Sequence, residues 1–318
     1  MKIKKLLSTG LAVLLCGAAF SACSPADNDH LQIVTTIFPE YDWAYNVSAD
    51  SDAEIEVLLD SGVDMHNFQP TASDIVSIST CDLFIYVGGE SDEWVESALK
   101  NSKNKNRKVI NLTEVLSSSL LEEEEIEEDH DHEHEEEGTA YDEHVWLSLR
   151  NAQKAVNAIS KALQELDENN AALYQANAKA YNEKLKSLDE TYQKSLAACE
   201  KQTLVFGDRF PFLYLCKDYN LSYFAAFSGC SASTSASFTM VTKLAEKLNE
   251  FDLNYILTIE GSENRTLAER IIEQSGKPQR EILTVNSMQA VSAAQISSGV
   301  TYLSVMEENL EVFTKALS

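Results

Sequence analysis

The chain has 318 residues, with 25 Lys and Arg against 51 Asp and Glu, a formal net charge of −26. A surface that acidic repels polyanions, which excludes nucleic acid as a partner. Hydrophobic residues make up 44% of the chain, enough for a sizeable core, and the length suits two domains.

The opening "MKIKK" is a short cationic start, and the "LLSTGLAVLLCGAAF" that follows is apolar over the length of an export signal. It falls short of the ~20 apolar residues that a spanning helix needs, and no later stretch reaches that length. At "FSACS" small residues precede Cys23, which resembles the lipobox of bacterial lipoproteins. The resemblance implies cleavage after residue 22, lipid on the Cys23 thiol and a polar tether over residues 23–30. Each buried acyl CH₂ would contribute ~0.8 kcal/mol to holding the protein on a membrane surface. An ordinary export signal with an incidental cysteine is the alternative. Cys81, Cys199, Cys216 and Cys230 show no CxxC spacing; Cys216 and Cys230 either pair or stay as buried thiols.

From Leu31 the chain alternates short apolar strands with helical segments. "LQIVTT", "AEIEVLL", "DLFIYVGG" and "KVINL" read as strands, separated by "EYDWAYNVS", "TASDIVSIS" and "SDEWVESALK". This predicts a βα lobe over residues 31–147 with its sheet covered on both faces. Residues 148–201 are rich in Ala, Leu, Lys, Glu and Gln. Apolar positions recur there at three and four (Ala155, Ile159, Leu163, Leu166, then Leu173, Ala176, Ala180, Leu185), which predicts amphipathic helix broken or bent near "DENN". A second strand set, "TLVFGD", "LSYFAAF", "NYILTIEG" and "REILTVNS", predicts another α/β lobe over residues 202–318. The expected fold class is therefore α/β, two βα lobes joined by a long helix, with ligands collecting at the carboxyl ends of strands in the cleft between them.

The acidic run Glu122 to Glu137 contains twelve acids, no Lys or Arg, and three of the six histidines, His130, His132 and His134. Its charge density and lack of apolar residues predict a disordered loop over residues 121–138. It reads either as a solvated tether or as an auxiliary collector of divalent cations. His66 in "DSGVDMHNFQPTASD" and His144 in "YDEHVWLSLRNA" each follow a turn-like segment at the edge of a βα unit.

"DMHNFQPTASDI" resembles the "DPHxYxPxPSD" segment of the cluster A-I metal-binding lipoproteins that feed ABC transporters for zinc and manganese. "DEHVWLSLRNA" is similar to that family's "DPHxWLxxxNA". The order of signal, first motif, acidic His-rich loop, second motif, long helix and second lobe also matches. Met65 stands where the family usually has proline. The resemblance implies that His66 and His144 are metal ligands from the first lobe. It places a third ligand, His or Glu, after the first strand of the second lobe, where this chain has Gly207 with Asp208 one residue on. An aspartate of the manganese members is matched by Asn286. Glu260, at the carboxyl end of the strand in "YILTIEGSEN", is the expected third ligand, with Asp208 and Glu263 as fallbacks. Glu260 also fits a buried acid bonded to backbone amides or to Arg209 or Arg265.

Two imidazoles and a carboxylate suit zinc, whereas manganese prefers more oxygen ligands. The implied protein is an extracytoplasmic, lipid-anchored monomer that captures Zn²⁺ (Mn²⁺ or iron as alternatives) for a membrane permease with a cytoplasmic ATPase. A zinc-dependent hydrolase is the rival from another class. The chain has no H-E-x-x-H helix, nucleophile elbow or phosphate loop to support one, so no enzyme is expected.

Overall fold

The first four apolar runs form strands β1 (Gln32–Thr35), β2 (Glu54–Val57), β3 (Leu83–Tyr86) and β4 (Lys108–Asn111). The computed structural model describes residues 30–100, 102–123, 126, 141–229, 236–261 and 265–318. Helices α1 (Phe38–Val47), α2 (Ala72–Thr80), α3 (Glu93–Leu99) and the short α4 (Leu112–Val115) follow the strands in turn. Thr71 caps α2 in a reciprocal box with Asp74, which fixes where the first motif ends. All strand pairs are parallel, in the order β2-β1-β3-β4. Connections therefore leave β1 in opposite directions, and the loops at the carboxyl ends of these strands diverge around a crevice.

The predicted helical segment is two helices, α5 (Leu149–Leu166) and α6 (Ala171–Ala197), rather than one bent rod. Ser148 starts α5 by accepting from Asn151 N at 3.1 Å, and Asp167 with Asn170 terminates it. The chain then turns back: Ser160 Oγ of α5 donates to the Tyr174 carbonyl of α6 at 3.1 Å, and Ile159, Leu163, Leu185 and Leu188 all lie buried.

The second lobe comprises β5 (Thr203–Phe210), α7 (Leu213–Tyr219), β6 (Ser222–Ser228), α8 (Phe238–Glu250), β7 (Tyr255–Ile259), α9 (Thr266–Gln274), β8 (Glu281–Val285), α10 (Ala293–Ser297) and α11 (Tyr302–Ala316). Its sheet is parallel in the order β6-β5-β7-β8 and repeats the topology of the first. Helix α7 was not foreseen from periodicity. It is two turns long and buried on most sides, so no polar face marks it; Asn220 in the left-handed region (φ 56°) ends it.

One apolar cluster runs through the first lobe, α5 and α6 and one side of the second sheet, while a smaller one lies under α8 and α9. The lobes thus share a core. No helix among the described residues is long and apolar enough to cross a membrane.

Candidate metal centre

His66 sits in a single 3₁₀ turn, Met65–Asn67, after β2. Asp64 caps that turn by accepting from His66 N at 3.0 Å, and Met65 anchors it in the core. His144 begins the turn that leads into α5, and Asp142 accepts from His144 N at 2.8 Å. Trp146, two residues on, is fully buried and donates its indole N–H to the Ser287 carbonyl at 2.8 Å, while its own carbonyl accepts from Tyr302 Oη. The second motif is therefore a wedge set between the lobes.

The two imidazoles, 78 positions apart in sequence, come together with ring centroids 5.4 Å apart and planes inclined at 60°. Two imidazoles on one tetrahedral zinc, with Zn–N near ~2.0–2.1 Å, would place their ring centres roughly 5 Å apart. Each ring has its Nδ1 occupied. His66 Nδ1 lies 2.7 Å from Ser91 Oγ and 3.2 Å from Glu143 Oε1, and His144 Nδ1 lies 3.2 Å from Asp142 Oδ1. Each Nε2 is buried without a hydrogen-bond partner. Buried ring nitrogens are normally paired, so two orphans on adjoining rings fit a cation between them.

The surroundings are electronegative. Burial opposes ionisation of Glu143, but His66, His144 and Ser91 outweigh it and bring the carboxyl down to about 2. Complete burial likewise opposes a charged His144, yet Asp142, Glu143 and Glu123 prevail and its pKa is raised. Glu123 belongs to the start of the acidic run. Its Oε1 is buried without a partner, and it lines a small cavity with Asp142, Phe210, Tyr223 and Gly229. The base of the run is pinned here: Glu122 bridges to Tyr141, Leu121 N donates to Tyr214 Oη, and Asp142 N donates to the Leu121 carbonyl.

The second lobe behaves differently from expectation. Glu260 follows β7 and is half-buried, and its desolvation raises its pKa even though Ser287 and Gln289 partly offset the effect. Its carboxylate accepts from Ser287 N and Oγ, both at 2.6 Å, and from Gln289 N at 3.3 Å. These are the backbone amides allowed for above; neither arginine is its partner, for Arg209 pairs with Asp64 at 2.6 Å and Arg265 with Thr284. Gly207 packs against α9, where a Cβ would stand 2.9 Å from Ala268, so no side chain fits at that position. Asp208 is consumed by Ile259 N and Arg209 N. Among the described residues no group of three or more His, Cys, Asp or Glu is arranged to hold a metal ion. Of the expected two-histidine-plus-carboxylate set the histidine pair is present, while Glu260 bonds to Ser287, whose carbonyl accepts from the indole of Trp146. Asn286 is spent on its own loop, accepting from Met288 N at 2.8 Å. Cys23, His130, His132, His134, Glu263 and Cys230 lie outside the described residues.

Glu143, Ser91, Asp64 and Arg209 form the rest of the centre, and motif reading singled out none of them as site residues. Glu143 stands where the resembled motif has proline, a departure that could have marked it. Arg209 left no such signal, since only the bulge of β5 between Phe206 and Arg209 turns it toward the first lobe.

A family model described as ZnuA, zinc-uptake complex component A, periplasmic, matches residues 33–316. The chain is 30% identical over 308 residues to the high-affinity zinc uptake system protein ZnuA of Bacillus subtilis, covering 96% of this chain and 94% of that one. It is 32% identical over 307 residues to the zinc-binding lipoprotein AdcA of Streptococcus pneumoniae, covering 95% of this chain and 59% of that longer protein. The fold superposes on the Zn(II)-bound ZnuA-like domain of S. pneumoniae AdcA with a TM-score of 0.70 at 28% identity, covering 91% and 99% of the two chains.

Proposed function

The chain belongs to the family of periplasmic zinc-uptake components A, and from that premise we propose that it captures Zn²⁺ outside the cytoplasm for import. The observation that carries this reading is the pair of buried, unpartnered Nε2 atoms on His66 and His144. Neutral imidazole is a strong zinc ligand, and each ring already has its other nitrogen engaged, as ligating histidines do. Glu260 is the proposed third ligand. Three donors occupy its two oxygens, and a carboxylate has about four acceptor positions, so one remains for the ion. The absence of a carboxylate at Asn286 favours zinc over manganese.

Zinc is the cargo. Its dehydration is offset by the ligand bonds, and a proton leaves wherever His144 starts charged. His130, His132 and His134, with Glu123 at the root of the run, supply an acidic approach that raises the local cation concentration. Lipid on Cys23 keeps the monomer on the extracytoplasmic face of the cell membrane beside a permease, which a cytoplasmic ATPase drives. The relatives' names describe uptake and binding rather than catalysis, and the same role is assigned here.

Metal analysis by mass spectrometry tests the reading. Wild type purified with zinc should carry one tightly held equivalent. His66→Ala and His144→Ala should lose it, and Glu260→Ala should weaken retention by at least about tenfold. Full zinc retention by both histidine variants would remove the proposed site.

A further inference from the structure

We propose that Glu143 is the positioning residue of the zinc centre, acting directly and through Ser91 to hold His66 in the tautomer whose Nε2 lone pair faces the ion. The inference rests on the zinc reading above and concerns a residue that neither motif resemblance nor family membership assigns.

The argument follows the protons. Ser91 Oγ lies 2.5 Å from Glu143 Oε1 and 2.7 Å from His66 Nδ1. A carboxylate only accepts, so the single hydroxyl proton of Ser91 is committed to Glu143. Toward His66 the same oxygen is left only lone pairs, and Nδ1 must carry the hydrogen. Glu143 Oε1, 3.2 Å from Nδ1, is a second acceptor for that hydrogen and favours the same tautomer. With Nδ1 protonated in a neutral ring, Nε2 holds the free pair, and it is the atom left without a partner. Removing the carboxylate frees the Ser91 proton, which can then bond to Nδ1 and move the ring hydrogen to Nε2, where it blocks the metal.

The chain builds a socket for this carboxylate. Ser91 N donates to Glu143 Oε2 at 3.2 Å, so one serine engages both oxygens. The loop between β3 and α3 that presents Ser91 is tied by Asp92, which accepts from Gly88 N at 3.0 Å. Gly89 has φ 99°, and a Cβ there would fall 2.7 Å from Glu143 Oε2, so glycine is what lets the carboxylate approach. Glu143 is 2% exposed, and its position carries proline in the motif this segment resembles. The tripeptide Asp142-Glu143-His144 thereby contributes one imidazole and the carboxylates that orient both.

Glu143→Gln keeps the shape and removes the charge, and Ser91→Ala removes the relay. In metal-free protein at about pH 8, above the usual histidine range, long-range ¹⁵N–¹H NMR should show His66 as the Nδ1–H tautomer. The resonance is assigned by its loss in His66→Ala. Glu143→Gln should move it toward Nε2–H, whereas Ser91→Ala leaves Glu143 Oε1 to accept from Nδ1 and should keep the wild-type tautomer. Glu143→Gln should also weaken zinc binding 10–100-fold in competition with a chromophoric chelator. If Glu143→Gln does not fold, Glu143→Ala carries the same two readouts. Wild-type tautomer and affinity in the Glu143 variant, or an Nε2–H ring in the wild type or in Ser91→Ala, would overturn the proposal. Should His66→Ala and His144→Ala both keep full affinity, the zinc site itself is wrong; should they lose it while Glu143→Gln does not, only the role of Glu143 fails.

Discussion

Glu40 is a fully buried acid of the first lobe. Its Oε2 accepts from Thr36 N, Thr36 Oγ1 and Ile37 N at 2.9–3.2 Å, while Oε1 is buried with no partner. Burial, reinforced by Asp92, pushes its pKa up to about 8 against the backbone bonds that pull it down. Asp92 is itself raised to about 6, by burial and by Glu143. An acid whose folded pKa is raised stabilises the fold fully below its unfolded value and loses that contribution as pH climbs through the folded one. Metal-free protein should therefore melt at progressively lower temperature as pH rises from about 4.5 to about 8. Asp92 acts in the lower part of that window and Glu40 through the upper part; the raised pKa of His144 adds the same sign. Scanning fluorimetry across the window tests this. Glu40→Gln should flatten the upper part, and an unchanged slope in that variant would show that Glu40 does not titrate there.

At the scale of elements, the acidic run is anchored more closely to the centre than its composition suggests. Composition predicts a solvated loop from residue 121. The backbone of Leu121 is instead bonded to Tyr214 and Asp142, and Glu123 faces the cavity beside His144. A deletion that tests the loop must therefore begin after Glu123. Removing residues 124–137 should leave one tight zinc equivalent and abolish weaker binding in a calorimetric titration. Unchanged total stoichiometry would mean that His130, His132 and His134 collect nothing. The same scale explains the long helical segment. The three-and-four spacing is the signature of an amphipathic face, but a stripe that switches phase at Asp167–Asn170 cannot reveal that the second half folds back on the first. Contacts between the two halves, Ser160 with Tyr174 and Asn182 with Asn157, settle it.

For the whole molecule, the shared core sets the amplitude of motion. Trp146 to Ser287, Tyr302 to Trp146, Tyr192 to Met306 and Arg209 to Asp64 all tie distant parts of the chain across the middle of the protein. Swinging the lobes apart would expose that apolar interface at roughly 25 cal/mol per Å² and leave the Trp146 indole unpaired. Zinc binding should accordingly rearrange loops rather than domains. Small-angle scattering should give the same radius of gyration with and without zinc, and a clear contraction on loading would contradict the shared core.

The sequence by itself determined the strands and most of the helices, and its motif spacing singled out His66 and His144 as candidates. Strand runs, capping residues and motif spacing are local, and each is set by neighbours within a few positions. Seven of the eight strands end within two residues of the quoted segments, and β3 stops three short of its own, at Tyr86. The tertiary structure decided what surrounds the imidazoles: that Glu143 reaches His66, that Arg209 answers Asp64, that Gly207 is closed by Ala268, and that Glu260 is held by Ser287 and Gln289. Those pairings join side chains dozens to more than a hundred residues apart. Their partners are chosen by sheet order and by how the lobes pack, which no local pattern encodes.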